Sequence, residues 1–400
     1  MHVLVLNEYF PPDTSATAKN AALVVEALAK KHRVTVLCGR PSYDPTEYHP
    51  PYLIRREVAG NLAIERVGST AFPRFRMKKR VSNYLTYLGL AVPRALTIQS
   101  DVIVAMTDPP IEGIAGAFVA RLSGRPFVYN LRDMYPDMAV GGDIVRPGKF
   151  IELWETLHRK ALRRAARVIV LGEDMRERII SKGVDPARIT IVRDAVPFPE
   201  KLACADHPVV QEIRNGFRFV LVHAGNLGFY GAWETLLDSA KLLEPDGVGL
   251  VFIGEGAMKP KIESMAHERN CQNVRFLPFR PAEEVPYVMA AGDLHVVTVK
   301  RGLEGVVVPS KVYNILAAGR PLLAIATNLT EVARFAERDG CGVAADPDSS
   351  SAVAEAVRGV MNDSKRALEM SRRCRDLARS YDRVKQLEIF VQAIEEAGRE

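Results

Sequence analysis

The sequence predicts an α/β protein of two doubly wound parallel sheets facing each other across a cleft, and three observations predict it. Short β-branched runs such as HVLVLN, RVTVLCG and DVIVAM alternate with helix-period stretches over the first half. The same alternation restarts after Pro197-Phe198-Pro199, with FRFVLVHAGNLG, VGLVFIGEG and LHVVTV. Four hundred residues are also more than one hydrophobic core usually serves. The first domain is therefore placed at 1–198 and the second at 199–378, with a charged terminal helix, 379–400, that could cross back onto the first. In such sheets ligands bind beyond the carboxyl ends of the strands, and that is where site residues are sought.

Composition narrows the class. With 48% hydrophobic and 26% charged residues the chain reads as folded, and no apolar run reaches the ~18 residues of a membrane span. Five scattered cysteines, never in CxxC spacing, read as reduced and unliganded in a cytoplasmic protein. A net charge of +6 is a modest bias toward anionic partners.

Along the first domain, HVLVLN leads through the loop EYFPPDTSATAKN into a helix with Leu23, Val24, Ala27 and Leu28 on one face, and then into RVTVLCG. This is a βαβ unit and implies parallel pairing. Asp13, Thr14 or Ser15 can cap the helix or face a ligand. After LAIERVG, the stretch 72–88 sets Arg74, Arg76, Lys78, Lys79 and Arg80 among Phe72, Phe75, Tyr84 and Tyr87. That texture suits peripheral contact with an anionic bilayer, at about 1 kcal/mol per basic residue, and the plain alternative is a solvated helix face. No nucleic-acid module accompanies it. The strand PFVYN ends in Arg132, Asp133, Tyr135 and Asp137; Asp133 reads as a site carboxylate or as an ion-pair partner of an arginine. Glu155 and His158 share a helix face, but no second ligand pair accompanies them, so no metal site is assigned.

In the second domain, GLEGVVVPSKVYNILAAGRP (302–321) is an apolar strand or loop that breaks at Pro309 and feeds a helix from Ser310-Lys311 to Gly319. Ser310 as N-cap, the first free N–H groups and Lys311 suit a phosphate; an ordinary capped helix is the alternative. Gly225, Asn226 and Gly228 follow one strand and Gly254-Glu255-Gly256 the next, where glycines let backbone approach a diphosphate. Neither GxGxxG with a following acid nor GxxxxGK[ST] is present, which disfavours a nicotinamide dinucleotide and a P-loop nucleotidase.

Taken in order, EYFPPDTSATAKN, NLRDMYPD, HAGNLG…GAWETLLDSAKLL, IGEGAMKPKIE, NVRFLPFRPAEEVP, AAGDLHVVTV and PSKVYNILAAGRPLLA give the chain a resemblance to family 4-type glycosyltransferases of bacterial exopolysaccharide and O-antigen synthesis. The resemblance implies the GT-B architecture, two Rossmann-like domains. It implies sugar transfer from a UDP- or GDP-linked donor, held as substrate, to a lipid-linked or saccharide acceptor, with retention and without a metal or other cofactor. On the family's pattern Gly225, Asn226 and Gly228 lie near the diphosphate, Gly254 to Gly256 with Phe279 and Arg280 near the base, and Ser310-Lys311 at the phosphate-facing helix start. The acceptor enters past Asp13 to Ala16, Ser15 included, and the Arg132-Asp133 strand end. Such an enzyme is expected in the cytoplasm or peripherally at the inner face of the membrane.

The chain also departs from that pattern. Two glutamates eight positions apart are usual, and Val306 and Asn314 stand there; Glu304 can replace the first, and Asn314 can bond a ribose hydroxyl. The usual Arg and Lys after the glycine turn are Asn226 and Tyr230, which leaves Lys311 to supply positive charge. The usual histidine after the NLRDMY strand is Arg132. The rival readings are a non-catalytic GT-B subunit and, fitting PSKVYNILAAG less well, a sugar-nucleotide epimerase.

Overall fold

The computed structural model describes residues 1–42, 52–72, 77–199, 203–204 and 206–399. Arg74, Phe75 and Arg76 of the basic-aromatic stretch lie outside the described residues. The chain runs β1 (His2–Leu6), α1 (Ala16–Ala29), β2 (Arg33–Cys38), β3 (Ile54–Ala59), β4 (Leu62–Val67), α2 (Met77–Thr97), β5 (Val102–Ala105), α3 (Glu112–Ser123), β6 (Phe127–Asn130), α4 (Asp137–Gly141), α5 (Lys149–Arg164), β7 (Arg167–Val170), α6 (Glu173–Ser181) and β8 (Ile189–Ile191). These strands form a sheet in the order β3-β4-β2-β1-β5-β6-β7-β8, parallel throughout except for β3 against β4. Sequence periodicity missed β3, IRREVA, because all six of its residues are exposed and carry no buried face.

Next come α7 (Pro208–Arg214), β9 (Phe219–Ala224), α8 (Trp233–Leu243), β10 (Val248–Ile253), α9 (Lys259–Glu268), β11 (Val274–Leu277), α10 (Val285–Ala291), β12 (Leu294–Thr298), α11 (Lys311–Ala317), β13 (Leu322–Ile325), α12 (Glu331–Glu337), β14 (Gly342–Ala345), α13 (Ser350–Met361), α14 (Ser364–Ser380) and α15 (Arg383–Ala397). The second sheet is ordered β11-β10-β9-β12-β13-β14 and is parallel. Each sheet reverses its winding once, between β1 and β5 in the first and between β9 and β12 in the second, and these switch points are where open α/β sheets leave a ligand crevice.

Strand cores such as VLVL and VIVA are buried on both faces, so they read as continuous apolar runs. Helix α1 starts at Ser15, whose hydroxyl accepts from the Ala18 amide at 3.0 Å. Its inward stripe is Ala18, Ala21, Val24, Val25 and Leu28, with Ala27 packed at its margin, so Val25 rather than Leu23 faces the core. Helices α2, α3 and α5 cover one side of the first sheet, with Tyr87, Ala117 and Leu162 against Leu4, Ile103 and Phe127. Helix α15 joins α1 on the other side, Phe390 and Ile394 packing with Val3 and Val5. The chain returns at Tyr381-Asp382, between α14 on the second domain and α15 on the first, so the C-terminal helical segment touches both domains. Among the described residues no helix is long and apolar enough to cross a membrane.

The domains are tied together by residues 303–306 and by α12. Met134 N–H donates to the Val306 carbonyl at 3.3 Å, and Arg178 donates to the Glu304 carbonyl at 3.1 Å. Gly305 lies so close to Asp174 that a Cβ there would stand 2.3 Å from the Asp174 carbonyl oxygen. The apolar run before Pro309 is accordingly a loop, its carbonyls taken by the first domain. Glu331 at the start of α12 is 1% exposed, pairs with Arg193 at 2.8 Å and accepts from the Glu173 amide at 3.1 Å. Asp174 returns the contact by accepting from the Glu331 amide at 3.0 Å, and burial raises its carboxyl to about 6.

Candidate functional site

At the second sheet's switch point, β9 ends in His223-Ala224-Gly225 beside the end of β12. Lys311, the first residue of α11, reaches across and donates to Nε2 of His223. Burial lowers the lysine amine to about 7, and burial followed by the adjacent lysine holds the His223 imidazole neutral well below its usual range. The histidine ring stands edge-on to Trp233 at 5.0 Å, and the indole N–H is fixed by the Gly228 carbonyl at 2.8 Å. Among the described residues no carboxylate pairs with this buried lysine, and an amine held only by a neutral acceptor is poised for an anionic ligand.

The amides of two of the glycines, Gly225 and Gly254, are taken by protein carbonyls. Gly225 N–H donates to Ile253 O at 2.9 Å, Gly254 N–H to Leu277 O at 3.0 Å, and Leu227 N–H to Glu255 O at 2.9 Å. The strand ladder thus continues one step into the loops, and these amides are directed at protein rather than at a diphosphate. What requires glycine is closeness: at Gly254, with φ +145°, a Cβ would stand 2.1 Å from the Gly225 oxygen, and at Gly256 one would stand 2.3 Å from the Leu227 oxygen. Phe279, 56% exposed, sets its ring edge against Gly254. Arg280 is engaged by Glu212 at 2.5 Å and Glu284 at 3.6 Å, so its guanidinium faces acids of its own domain.

Ser310 does not cap α11. Its backbone is already helical (φ −61°, ψ −20°) because Pro309 O takes the Val312 amide and starts the turn one residue early; its side chain is exposed and makes no capping bond. Ser310, Asn314 and Arg132 instead line one interdomain cavity of about 570 Å³, together with Lys19 and Asn20 of α1. Arg132 is ion-paired with Asp194. Glu304 turns toward the end of β13, accepting from Thr327 Oγ1 at 2.9 Å, and Val306 is fully buried.

On the facing side, the β1/β5 switch point presents Asn7, Thr107 and Glu112, with Asn130 at the end of β6, all buried. Burial raises the Glu112 carboxyl to about 8, and Tyr87 O–H donates to it at 3.1 Å. Asp133 is pushed up to about 6 by burial and then by Asp108, against the opposing pull of Arg132. Asn7 Oδ1, Thr107 Oγ1, Glu112 Oε2 and Asn130 Nδ2 have no hydrogen-bond partner among the described residues. Ser15 is 5% exposed and occupied by its cap. Glu155 and His158 do not form a ligand pair: Glu155 holds Lys182 at 2.7 Å, and His158 is buried edge-on to Tyr129.

Sequence reasoning placed Lys311 but not its partner. The signal for His223 was a lone polar residue closing an apolar strand, FVLVHA. It had none for Glu331, whose partners lie 138 and more residues away.

Two facing Rossmann-like domains with a basic switch-point site in the second define a GT-B protein. Residues 16–195 match the glycosyl transferase 4-like domain and 210–380 match glycosyl transferases group 1, and the chain belongs to the family 4 glycosyltransferases. It is 25% identical over 379 residues to WcaI of Escherichia coli (strain K12), named as a colanic acid biosynthesis glycosyl transferase, covering 90% of this chain and 91% of that one. WbjE of Pseudomonas aeruginosa, named as a glycosyltransferase, is 24% identical over 72% of this chain and 74% of its own. Among solved structures, Anabaena HepE in complex with UDP-glucose superposes with a TM-score of 0.70 at 16% identity, covering 100% of both chains, and shares the fold.

Proposed function

We propose that this glycosyltransferase moves a sugar from a UDP- or GDP-linked donor to a lipid-linked or saccharide acceptor in cell-surface polysaccharide synthesis. Residues 199–378 hold the donor, and residues 1–198 with the terminal helix present the acceptor. The observation that carries this reading is Lys311: a buried amine at the switch point of the second sheet, held by His223 and, among the described residues, paired with no acid. As the anomeric C–O bond breaks, negative charge gathers on the departing diphosphate. A fixed cation there stabilises the transition state more than the ground state. Because the amides of Gly225 and Gly254 are directed inward, Lys311 carries most of that stabilisation, and the glycines act by holding the two loops together beneath the nucleotide. Phe279 offers an exposed ring for the base, and Asn314 an amide for the ribose. The acceptor hydroxyl approaches from Asp133, and the unpartnered polar atoms around Asn7, Thr107 and Asn130 favour a hydroxyl-rich acceptor, since each costs about 1–3 kcal/mol unless bonded.

The test is release of nucleoside diphosphate from a panel of UDP- and GDP-sugars with a membrane extract as acceptor. Donor-dependent release supports transfer. Thermal protection by a donor without release from any member would identify a binding subunit instead.

A further inference from the structure

Helices α2, α3 and α5 form one layer on the first sheet, and their outer face is unusually apolar. Phe150, Leu153 and Leu157 of α5 are 73%, 57% and 39% exposed, Phe118 and Leu122 of the neighbouring α3 are 50% and 58% exposed, and Leu85 of α2 is 62% exposed. Single exposed apolar residues are ordinary, but six large ones on the outer face of one helix layer are not. The three helices carry ten Lys and Arg against three Asp and Glu by sequence, a larger surplus than the +6 of the whole chain. Of the three acids, Glu112 is buried and Glu155 is held by Lys182.

The face is also joined to the site. Phe150 packs on Trp154 at 6.2 Å, and Trp154 stacks on Tyr135 at 6.0 Å, nearly parallel, in the strand-end turn that carries Asp133. An aromatic row thus runs from solvent to the acceptor side of the cleft. Of the stretch 72–88, Tyr84 and Tyr87 point inward and Lys79 lies over the Phe72 ring, while Leu85 belongs to this exposed face.

We propose that the outer face of α3 and α5, with Leu85 of α2, is a docking surface for an anionic lipid bilayer. It inserts Phe150, Leu153 and Leu157 while the basic residues meet the headgroups, and it brings a lipid-carried acceptor alongside the Tyr135–Trp154 pair. Charge complementarity selects this occupant: an apolar stripe within a cationic field suits anionic lipid, whereas a second copy of the chain would set like charges against each other. The proposal rests on the lipid-linked acceptor read above only for its last step.

The experiment is flotation of the full chain with phosphatidylcholine vesicles with and without phosphatidylglycerol, for the wild type and for the triple variant Phe150→Ser, Leu153→Ser, Leu157→Ser. The wild type should float with phosphatidylglycerol vesicles and less so in raised salt, and the variant should bind about tenfold more weakly. Its thermal midpoint and donor affinity should stay unchanged, since the three side chains are solvent-facing. Equal flotation of variant and wild type, or no flotation of the wild type at low salt, overturns the surface. So does a concentration-dependent dimer that the same substitutions dissolve. Nucleoside diphosphate release failing for every donor while flotation persists would sink the transfer reading and leave the docking surface standing.

Discussion

The two switch points differ in what they are made of. The second domain builds its side from short contiguous pieces: a histidine closing β9, glycines that let two loops pack at backbone distance, and a lysine just past a proline. The first domain builds its side from isolated side chains at the ends of different strands: Asn7, Thr107, Glu112, Asn130 and Asp133. On the proposed reading the second side holds one chemically constant group, a diphosphate, and such a site can be written in local motifs. The first side, proposed above to face the acceptor, is assembled across the fold, and its residues stand out through burial, which raises Glu112 to about 8 and Asp133 to about 6.

The sharpest way to break this comparison is Lys311→Met. The account expects kcat/KM for the donor to fall about 10³-fold, or about 4 kcal/mol of transition-state stabilisation, in steady-state assays. A drop of only a few-fold would move the charge elsewhere. Gly254→Ala should cost roughly 3 kcal/mol of stability in denaturant melts, because a Cβ would meet the Gly225 oxygen at 2.1 Å and φ is +145°. Substitution of a glycine in an open turn such as Gly216, with nothing within 4 Å of a Cβ, should cost less.

Asp133→Asn addresses the other switch point. It should lower kcat by about 10²-fold while donor affinity measured by calorimetry is unchanged. A parallel loss of donor affinity would show that the two sides are not separable. The smallest expected effect is in pH dependence. In the free protein Lys311 is protonated below about 7 and neutral above, so kcat/KM for the donor should fall as pH rises through that value. Lys311→Met should erase that limb. The same depression means the unfolded chain holds a proton the native one has lost between about 7 and the usual lysine value, so this group's contribution to stability grows with pH across that window.

Most of the fold was legible because parallel strands buried on both faces are written as continuous β-branched runs, and the restart after Pro199 exposed the second domain. Strand β3 was not, since an exposed antiparallel edge has no buried period. Lys311 was legible from PSK; that Ser310 would not cap was not, because the turn starts from the Pro309 carbonyl. The Asp174–Glu331–Arg193 contact that locks the domains joins residues distant in sequence and leaves no local trace. Within 72–88 composition alone did not separate the inward Tyr84 and Tyr87 from the exposed Leu85, which lies in the same helix layer as the exposed apolar residues of α3 and α5.

On the reading proposed here, the donor's diphosphate lies on Lys311 at the β9/β12 switch point. A crystal structure of the protein with a bound nucleotide sugar tests it most directly. Diphosphate oxygens are expected within hydrogen-bonding reach of Lys311 Nζ, with the base near Phe279. A nucleotide sugar bound with its phosphates away from Lys311 and His223 would contradict it.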